Sequence, residues 1–144
     1  MIYTDTSCLL KVLRPEPLSE NVWRAIAGES QVVISALAEL ETLVQLKADW
    51  ASGSITRSQW RQAEAKFGLL TNQPPFEFRP LPARIFQTAL RQHRNSGGVH
   101  CRSLDRLHLA AMEELKISRL MTHDESQAKA ALDAGFEVVR PGRD

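Results

Sequence analysis

The sequence predicts an α/β fold, a three-layer α/β/α sandwich with a central parallel sheet of about five strands. Short apolar or β-branched runs alternate along the chain with stretches that carry apolar residues at helical spacing. No hairpin signal joins any two of the strand runs. Because parallel strands are joined by right-handed crossovers, we expect the helices on both faces of the sheet.

The first predicted unit is a strand, a turn and a helix. Ile2 to Thr4 is a short apolar start, and Asp5-Thr6-Ser7 are residues that favour helix N-caps. Apolar residues at helical spacing then run from Cys8 to Leu13, and Pro15 and Pro17 end the helix.

A second unit repeats this order. Gln31 to Ile34 is rich in β-branched residues and predicts a strand, and Ser35 is a capping residue. A helix is expected from Ala36 to about Trp50, with Gly53 ending it.

The rest of the chain continues the alternation up to Pro141. We expect a helix over Thr56 to Leu70, a strand over Phe76 to Leu81, and a helix from Pro82 that buries Ile85, Phe86, Ala89 and Leu90. A further helix is expected from Ser103 to about Lys116, followed by a strand over Ser118 to Thr122. The last two elements are a helix over Glu125 to Ala134, stopped by Gly135, and a strand over Phe136 to Val139.

Composition sets limits on the class of protein. The 144 residues, 43% hydrophobic and 24% charged, are expected to form one globular domain over residues 1–144. No apolar run is long enough to span a bilayer and no signal-peptide pattern opens the chain, so a cytoplasmic location is expected. Cys8 and Cys101 lie far apart and indicate no disulfide framework. The net charge of +1 neither supports nor excludes a nucleic-acid substrate.

Two aspartates follow predicted strands and are therefore candidate site residues. Asp5 comes directly after the first strand, and Asp124 follows the fourth after only His123. Ligand sites in open parallel sheets gather at the carboxyl ends of the strands, so these two carboxylates are expected to converge. The alternative for either one alone is a helix cap stabilised by the helix dipole.

Asp105 is a third candidate because it is expected to point toward the core. At about 100° per residue it shares a helix face with the apolar residues Leu109 and Met112. An acid on a buried face needs a physical reason, and a functional site is one.

Glu41 is the fourth candidate. The apolar stripe of its helix is predicted to consist of Leu37, Leu40, Val44 and Ala48. Glu41 lies at the margin of this stripe, whereas Glu39 lies on the far side, with Leu46 and Trp50, and is expected to be solvated. The alternative for Glu41 is a residue at the edge of the core that extends its carboxylate into water.

Four carboxylates from four elements would repel one another unless some were protonated or a cation were bound. Oxygen ligands favour Mg²⁺ or Mn²⁺ over zinc, and such ions activate water and neutralise charge on a phosphate. The sequence therefore points to phosphodiester hydrolysis at a metal site of Asp5, Glu41, Asp105 and Asp124.

The chain resembles the PIN-domain family along its whole length, and more narrowly the VapC-type toxins of bacterial toxin–antitoxin pairs. The matching stretches are IYTDTSCLLKVL, VVISALAELETL, CRSLDRLHLAAM and LMTHDESQAKAA with the trailing GFEVVRPG. The resemblance implies a three-layer α/β/α fold, RNA as substrate, and Mg²⁺ or Mn²⁺ held by the acids at 5, 41, 105 and 124. It also implies a homodimer and inhibition by a small cognate antitoxin protein.

Three positions bear on how far the family pattern applies. Arg106 stands where a small residue often follows the central aspartate, which puts metal affinity in question, and His123 stands where an aromatic residue commonly precedes the last acid. Thr6 is a candidate to support Asp5 by hydrogen bonding, although a residue that served only as a cap would look the same.

Other polar groups indicate a site less strongly. His93, His100 and Cys101 lack the tight spacing of a soft-metal site, and a packed, hydrogen-bonded core histidine is the favoured interpretation of His108. The basic residues Arg91, Arg94 and Arg102 are suited either to phosphate contact or to a solvated helix end.

Two other classes of function compete with the ribonuclease. One is an inactive PIN-like binding or scaffold module, in which the acids survive only as caps. The other is a phospho-acceptor or phosphatase domain with an aspartate nucleophile after the first strand. That class needs a DxD pattern or a late lysine, whereas Thr6 and Ser7 follow Asp5 and no lysine lies between Thr122 and Asp124.

Overall fold

The structure, a computed structural model, describes residues 1–143 and contains within them five strands and seven helices. The strands are β1 (Ile2–Thr4), β2 (Val32–Ser35), β3 (Phe76–Arg79), β4 (Arg119–Met121) and β5 (Glu137–Val139). The helices are α1 (Thr6–Leu13), α2 (Ser19–Ala27), α3 (Ala36–Ala51), α4 (Arg57–Leu70), α5 (Ile85–Asn95), α6 (Ser103–Glu114) and α7 (Glu125–Asp133).

The strands form a single parallel sheet in the order β3-β2-β1-β4-β5. The chain first builds outward from β1 through β2 to β3, then returns to the other side of β1 for β4 and β5. Tyr3 of β1 is therefore in register with Val33 on one side and with Leu120 on the other. This reversal beside β1 creates a crevice at the carboxyl ends of the central strands, where ligands bind in open α/β sheets.

The sheet is buried on both faces, as the three-layer prediction requires. Successive strand residues point to opposite faces, so Ile2 packs into one apolar cluster and its neighbour Tyr3 into the other. Ile34 joins the first cluster and Val33 the second, and all four side chains are fully buried. The predicted α/β/α sandwich with five parallel strands is confirmed.

Helix α2 is not among the elements expected from the sequence. It begins at Ser19, shortly after Pro17, and it buries Val22 and Ile26, which lie one turn apart on the same face. Its signal in the sequence is weak because the helix is short and only these two positions are buried. In addition, Leu18 before it has a left-handed backbone with φ of 72° rather than a capping conformation.

The buried face of α3 differs from the predicted stripe. Leu40 and Val44 are 61% and 59% exposed, and the helix instead buries Ala38, Thr42 and Leu46. Thr42 is tolerated in the core because its hydroxyl donates to the Ala38 carbonyl at 2.7 Å. The prediction was wrong because α3 carries apolar residues on two sides, so periodicity alone does not decide which side meets the sheet.

Helix α5 shows the same ambiguity. It buries Ile85 and Ala89 as predicted, but Phe86 and Leu90 are 63% and 51% exposed. The third buried position is Thr88. An apolar face of α5 is therefore left in contact with solvent.

None of the helices described by the structure is both long and apolar enough to cross a membrane.

Candidate active site

The four predicted acids lie together at the carboxyl edge of the sheet. Asp5, Glu41, Asp105 and Asp124 all line one cavity of about 360 Å³. They come from the start of α1, from α3, from α6 and from the start of α7, respectively. Glu39 does not line this cavity. The expectation that Glu39 lies on a solvated far side of α3 was wrong, because it is only partly exposed and shares its side of the helix with Leu46, which is fully buried.

Asp5 is buried, and hydrogen bonds hold both of its carboxylate oxygens. It is the N-cap of α1, and its Oδ1 accepts from the backbone nitrogens of Ser7 and Cys8 at 3.1 and 3.4 Å and from the Ser7 hydroxyl at 2.6 Å. The Thr122 hydroxyl donates to the other carboxylate oxygen. Burial raises the pKa of Asp5, and these hydrogen bonds to the carboxylate oppose that rise.

The proposed support of Asp5 by a hydrogen bond from Thr6 is wrong. Thr6 lines the cavity, but its buried hydroxyl has no hydrogen-bond partner among the described residues, and Ser7 and Thr122 hold Asp5 instead. An N-cap carboxylate accepts from groups two or three positions further along the chain, and Thr6 is only one position away. The sequence signal for the support of Asp5 by Ser7 was a serine two residues after an acidic cap.

Asp124 and Asp105 are connected to the same framework. Asp124 is the N-cap of α7, where its Oδ1 accepts from the backbone nitrogen of Gln127 at 3.0 Å, and its own backbone nitrogen donates to the Thr122 hydroxyl at 3.0 Å. The buried Gln127 side chain donates to the backbone carbonyl of Asp105 at 3.2 Å. Asp105 is buried on α6 together with Leu109, as predicted.

Arg102 is the cation of the acid cluster. Its Nε lies 3.0 Å from Asp105 Oδ2, and its terminal nitrogen lies 3.5 Å from Asp124 Oδ2. The hydrogen bond to Asp105, followed by the charges of Asp105 and Asp124, raises the pKa of the guanidinium. The side chain is 64% exposed, so solvent screening weakens this ion pair.

Glu41 is held by a buried histidine. The Nε2 of His108 bonds to a carboxylate oxygen of Glu41, and its Nδ1 lies 2.6 Å from the hydroxyl of Tyr3. The Tyr3 hydroxyl lies 2.7 Å from that of Ser35. The expected packed, hydrogen-bonded core histidine is confirmed, and its partner is one of the four acids.

A second ion pair forms one wall of the cavity. Arg14 and Asp49 both line it, and they bond to each other at 2.8 Å. Asp49 also accepts from Gln45, one turn earlier on α3. Asp49 is therefore a fifth acid at the cavity, but its charge is already balanced by Arg14.

The donor set fits a hard divalent cation. All four candidate ligands are carboxylates, which Mg²⁺ and Mn²⁺ prefer. Asp5 is buried and takes part in no ion pair among the described residues, so its charged form lacks a counter-ion. Within residues 1–143, however, no three acidic, histidine or cysteine side chains already converge on a common point. Arg102 lies between two of the acids, so binding a cation requires it to move.

The other polar residues singled out in the sequence lie elsewhere. Arg91 bonds to Glu113, and of the three basic candidates only Arg102 lines the acidic cavity. Arg106 is buried and lines two other pockets, so it does not place its charge in the acidic cavity. No metal-binding cluster involves Cys101 in the part of the chain that the structure describes.

The fold and the site define a class: α/β sandwiches with an acidic cavity at the carboxyl edge of a parallel sheet. Residues 2–132 match the model of the PIN domain, and the chain belongs to the PIN-domain family. Ribonuclease VapC46 of Mycobacterium tuberculosis is 30% identical to this chain over 145 aligned positions, which cover 97% of each protein.

Solved structures of toxins and toxin–antitoxin complexes share the fold. VapC20 of M. tuberculosis, a sarcin-ricin loop cleaving toxin, superposes with a TM-score of 0.72 at 19% identity, over 98% of this chain and all of that one. FitAcB from Neisseria gonorrhoeae gives 0.70 at 16% identity, over 98% of each chain. A toxin–antitoxin complex from Klebsiella pneumoniae gives 0.68 at 16% identity, over the full length of both.

Proposed function

We propose that this protein is a metal-dependent endoribonuclease and the toxin of a toxin–antitoxin pair. The observation that carries the proposal is that Asp5, Glu41, Asp105 and Asp124, from four separate elements, all line one cavity of a PIN-domain chain. The similarity to Ribonuclease VapC46 along nearly the whole chain supports RNA as the substrate.

The residues divide into ligands and groups that hold them. Asp5, Glu41, Asp105 and Asp124 would bind Mg²⁺ or Mn²⁺, which supplies positive charge at a phosphodiester and lowers the pKa of a bound water. Ser7 and Thr122 fix both oxygens of Asp5, so its carboxylate is oriented before a ligand arrives. Arg102 is exposed and can turn from the acids toward a phosphate oxygen, which a guanidinium binds well.

The direct test is cleavage of a labelled single-stranded RNA by the purified protein. We expect cleavage with Mg²⁺ or Mn²⁺, none in excess EDTA, and recovery when the ion is restored, because the ion supplies the lowered pKa of the attacking water and the positive charge at the phosphate. Glu41→Gln, which should be inactive, shows how much cleavage comes from contaminating nucleases. Glu39→Gln, outside the cavity, is its matched control and should stay active. Equal cleavage in metal-free buffer would rule out the proposed mechanism.

One observation favours the alternative of an inactive binding or scaffold module. Arg102 already bridges Asp105 and Asp124, and a cluster neutralised in this way needs no metal. The same assay decides between the two, since a scaffold would leave RNA intact at every metal concentration. Asp5 supports the metal-dependent enzyme over the scaffold. It is buried without a counter-ion among the described residues, and a bound cation would compensate its charge.

The proposed partners are a small antitoxin protein and a second copy of the chain. Toxin–antitoxin complexes among the solved structures with this fold support the first. Exposed apolar side chains such as Leu40, Val44, Phe86 and Leu90 provide surface for protein contacts. Adding a cognate antitoxin to the RNA assay should stop cleavage. A solution mass of one chain rather than two would contradict the dimer.

A further inference from the structure

A chain of buried polar groups leads from the core to Glu41. It runs from Ser35 at the end of β2, through Tyr3 in β1 and His108 in α6, to Glu41 in α3. Ser35 and Tyr3 are fully buried and His108 is 3% exposed. Tyr3 and His108 also meet edge to face, with ring centroids 5.7 Å apart. Four elements are thus joined through side chains that end at a cavity carboxylate.

For an ionised carboxylate and a neutral imidazole, the hydrogen-bonding capacity of each group gives the chain a single direction. An ionised Glu41 only accepts, so His108 Nε2–H must donate to it. A neutral imidazole then accepts at Nδ1, which requires the Tyr3 hydroxyl to donate there. Tyr3 in turn accepts from Ser35, whose oxygen accepts from the backbone nitrogen of Ala38 at 3.1 Å. Each of these donors is used once, and burial, which raises the pKa of Tyr3, keeps its proton in place.

The surroundings of this polar chain are apolar, since Tyr3 lies in the cluster formed with Val33 and Leu109. Burying polar groups costs free energy unless all of them are paired, and apolar side chains of the same size would fill this space. What the polar chain adds is orientation, since a glutamate on a helix surface otherwise samples many rotamers. Glu41 is only partly exposed, with 27% of its side chain accessible.

We propose that His108, fixed by Tyr3 and Ser35, is a positioning residue that holds the Glu41 carboxylate in the orientation in which it binds the divalent ion. The inference rests on the proposed function, and it assigns Glu41 a support separate from the Ser7 and Thr122 support of Asp5. Groups that orient metal ligands from behind usually contribute about tenfold to a hundredfold in metal affinity or activity.

Two substitutions of similar size separate positioning from packing. His108→Met fills the space without a donor, whereas His108→Gln keeps an N–H near the position of Nε2. We expect His108→Met to weaken Mn²⁺ binding, measured by electron paramagnetic resonance of the free ion, by about tenfold or more. His108→Gln should recover most of that loss, and kcat for RNA should follow the metal affinity while KM changes little.

A double-mutant cycle adds an independent readout. If His108 acts through Glu41, His108→Met should cost little further Mn²⁺ affinity in a Glu41→Gln background. Three results would overturn the proposal: His108→Met binding Mn²⁺ as the wild type does, Met and Gln variants losing affinity equally, or the full loss persisting without Glu41. If position 108 variants do not fold, Tyr3→Phe removes one oxygen only, and unchanged Mn²⁺ affinity in that variant overturns it.

The inference and the proposed function fail in different ways. A wild-type protein that binds no Mn²⁺ and cuts no RNA contradicts the function itself. A wild-type protein that does both, beside a His108→Met variant that does both equally well, contradicts only the positioning role.

Discussion

Glu41→Gln should lower RNA cleavage by orders of magnitude, whereas Glu39→Gln should leave it nearly unchanged. The two residues are two positions apart on α3, and about 200° of helix rotation separates their side chains. Glu41 reaches the cavity and His108, and Glu39 lies outside that cavity. Glutamine keeps the shape of glutamate and can still accept from His108, but it gives up the anionic oxygen that binds a hard cation.

The measurement is the initial rate of cleavage in Mn²⁺ for both variants, with circular dichroism and thermal unfolding as checks that each is folded. Because the charge change is the same in the two proteins, their difference reports position alone. An inactive Glu39→Gln beside an active Glu41→Gln would mean that the orientation of α3, and the match of VVISALAELETL to the family pattern, is wrong.

Asp5→Asn and Asp105→Asn should each abolish cleavage, and Asp5→Asn should also stabilise the metal-free protein. Ionised Asp5 is buried without a cationic partner among the described residues, so its charge costs free energy in the fold. Asparagine keeps the cap on α1 and removes the charge. We expect Asp5→Asn to unfold at a higher Tm than the wild type in EDTA. Asp105→Asn should gain less, because Asp105 already has Arg102 as its counter-ion.

The pH dependence of this gain follows from the raised pKa of Asp5 in the folded state. Above that pKa the aspartate is charged in both states and the full penalty applies, so the advantage of asparagine is complete. As the pH falls the folded protein takes up a proton first, and below about 3.9 both states are protonated and the advantage is gone. Thermal unfolding in EDTA across this range measures it, and an Asp5→Asn variant no more stable than the wild type at neutral pH would contradict the penalty assigned to the buried charge.

Much of the fold could be predicted because local signals and long-range packing agree. The cap residues Asp5 and Ser35 precede helices in the structure as expected, and Thr56, the first residue of the helix predicted up to Leu70, forms a full capping box with Gln59. The rule that ligand sites lie at the carboxyl edge of a parallel sheet also placed Asp5 and Asp124 correctly, at one end of the sheet.

The helix faces of α3 and α5 could not be predicted in the same way. Leu40 and Phe86 are as apolar as the residues that are buried, and they remain exposed. The choice depends on how each helix packs against its neighbours, which one sequence does not encode in its periodicity. Glu41 was placed correctly although the stripe used to place it was wrong, because it lies between the predicted stripe and the face that is actually buried.

The hydrogen bonds and ion pairs within the site could not be predicted from the sequence for a related reason. Arg102 contacts Asp105 one helical turn away, but its approach to Asp124 depends on how α6 and α7 pack. The link from Tyr3 to His108 spans 105 residues, and no local pattern indicates it. A polar histidine three residues after Asp105, on a face with Met112, was the only hint.

Binding of Mn²⁺ to the purified protein, followed by electron paramagnetic resonance at neutral pH, tests the central claim most directly. If the four acids form a metal site, the wild type and Glu39→Gln should remove free Mn²⁺ from solution, and Asp5→Asn and Glu41→Gln should bind it far more weakly. Free Mn²⁺ that is undiminished by the folded wild type, or that is bound equally well by Asp5→Asn, would contradict the proposed metal site.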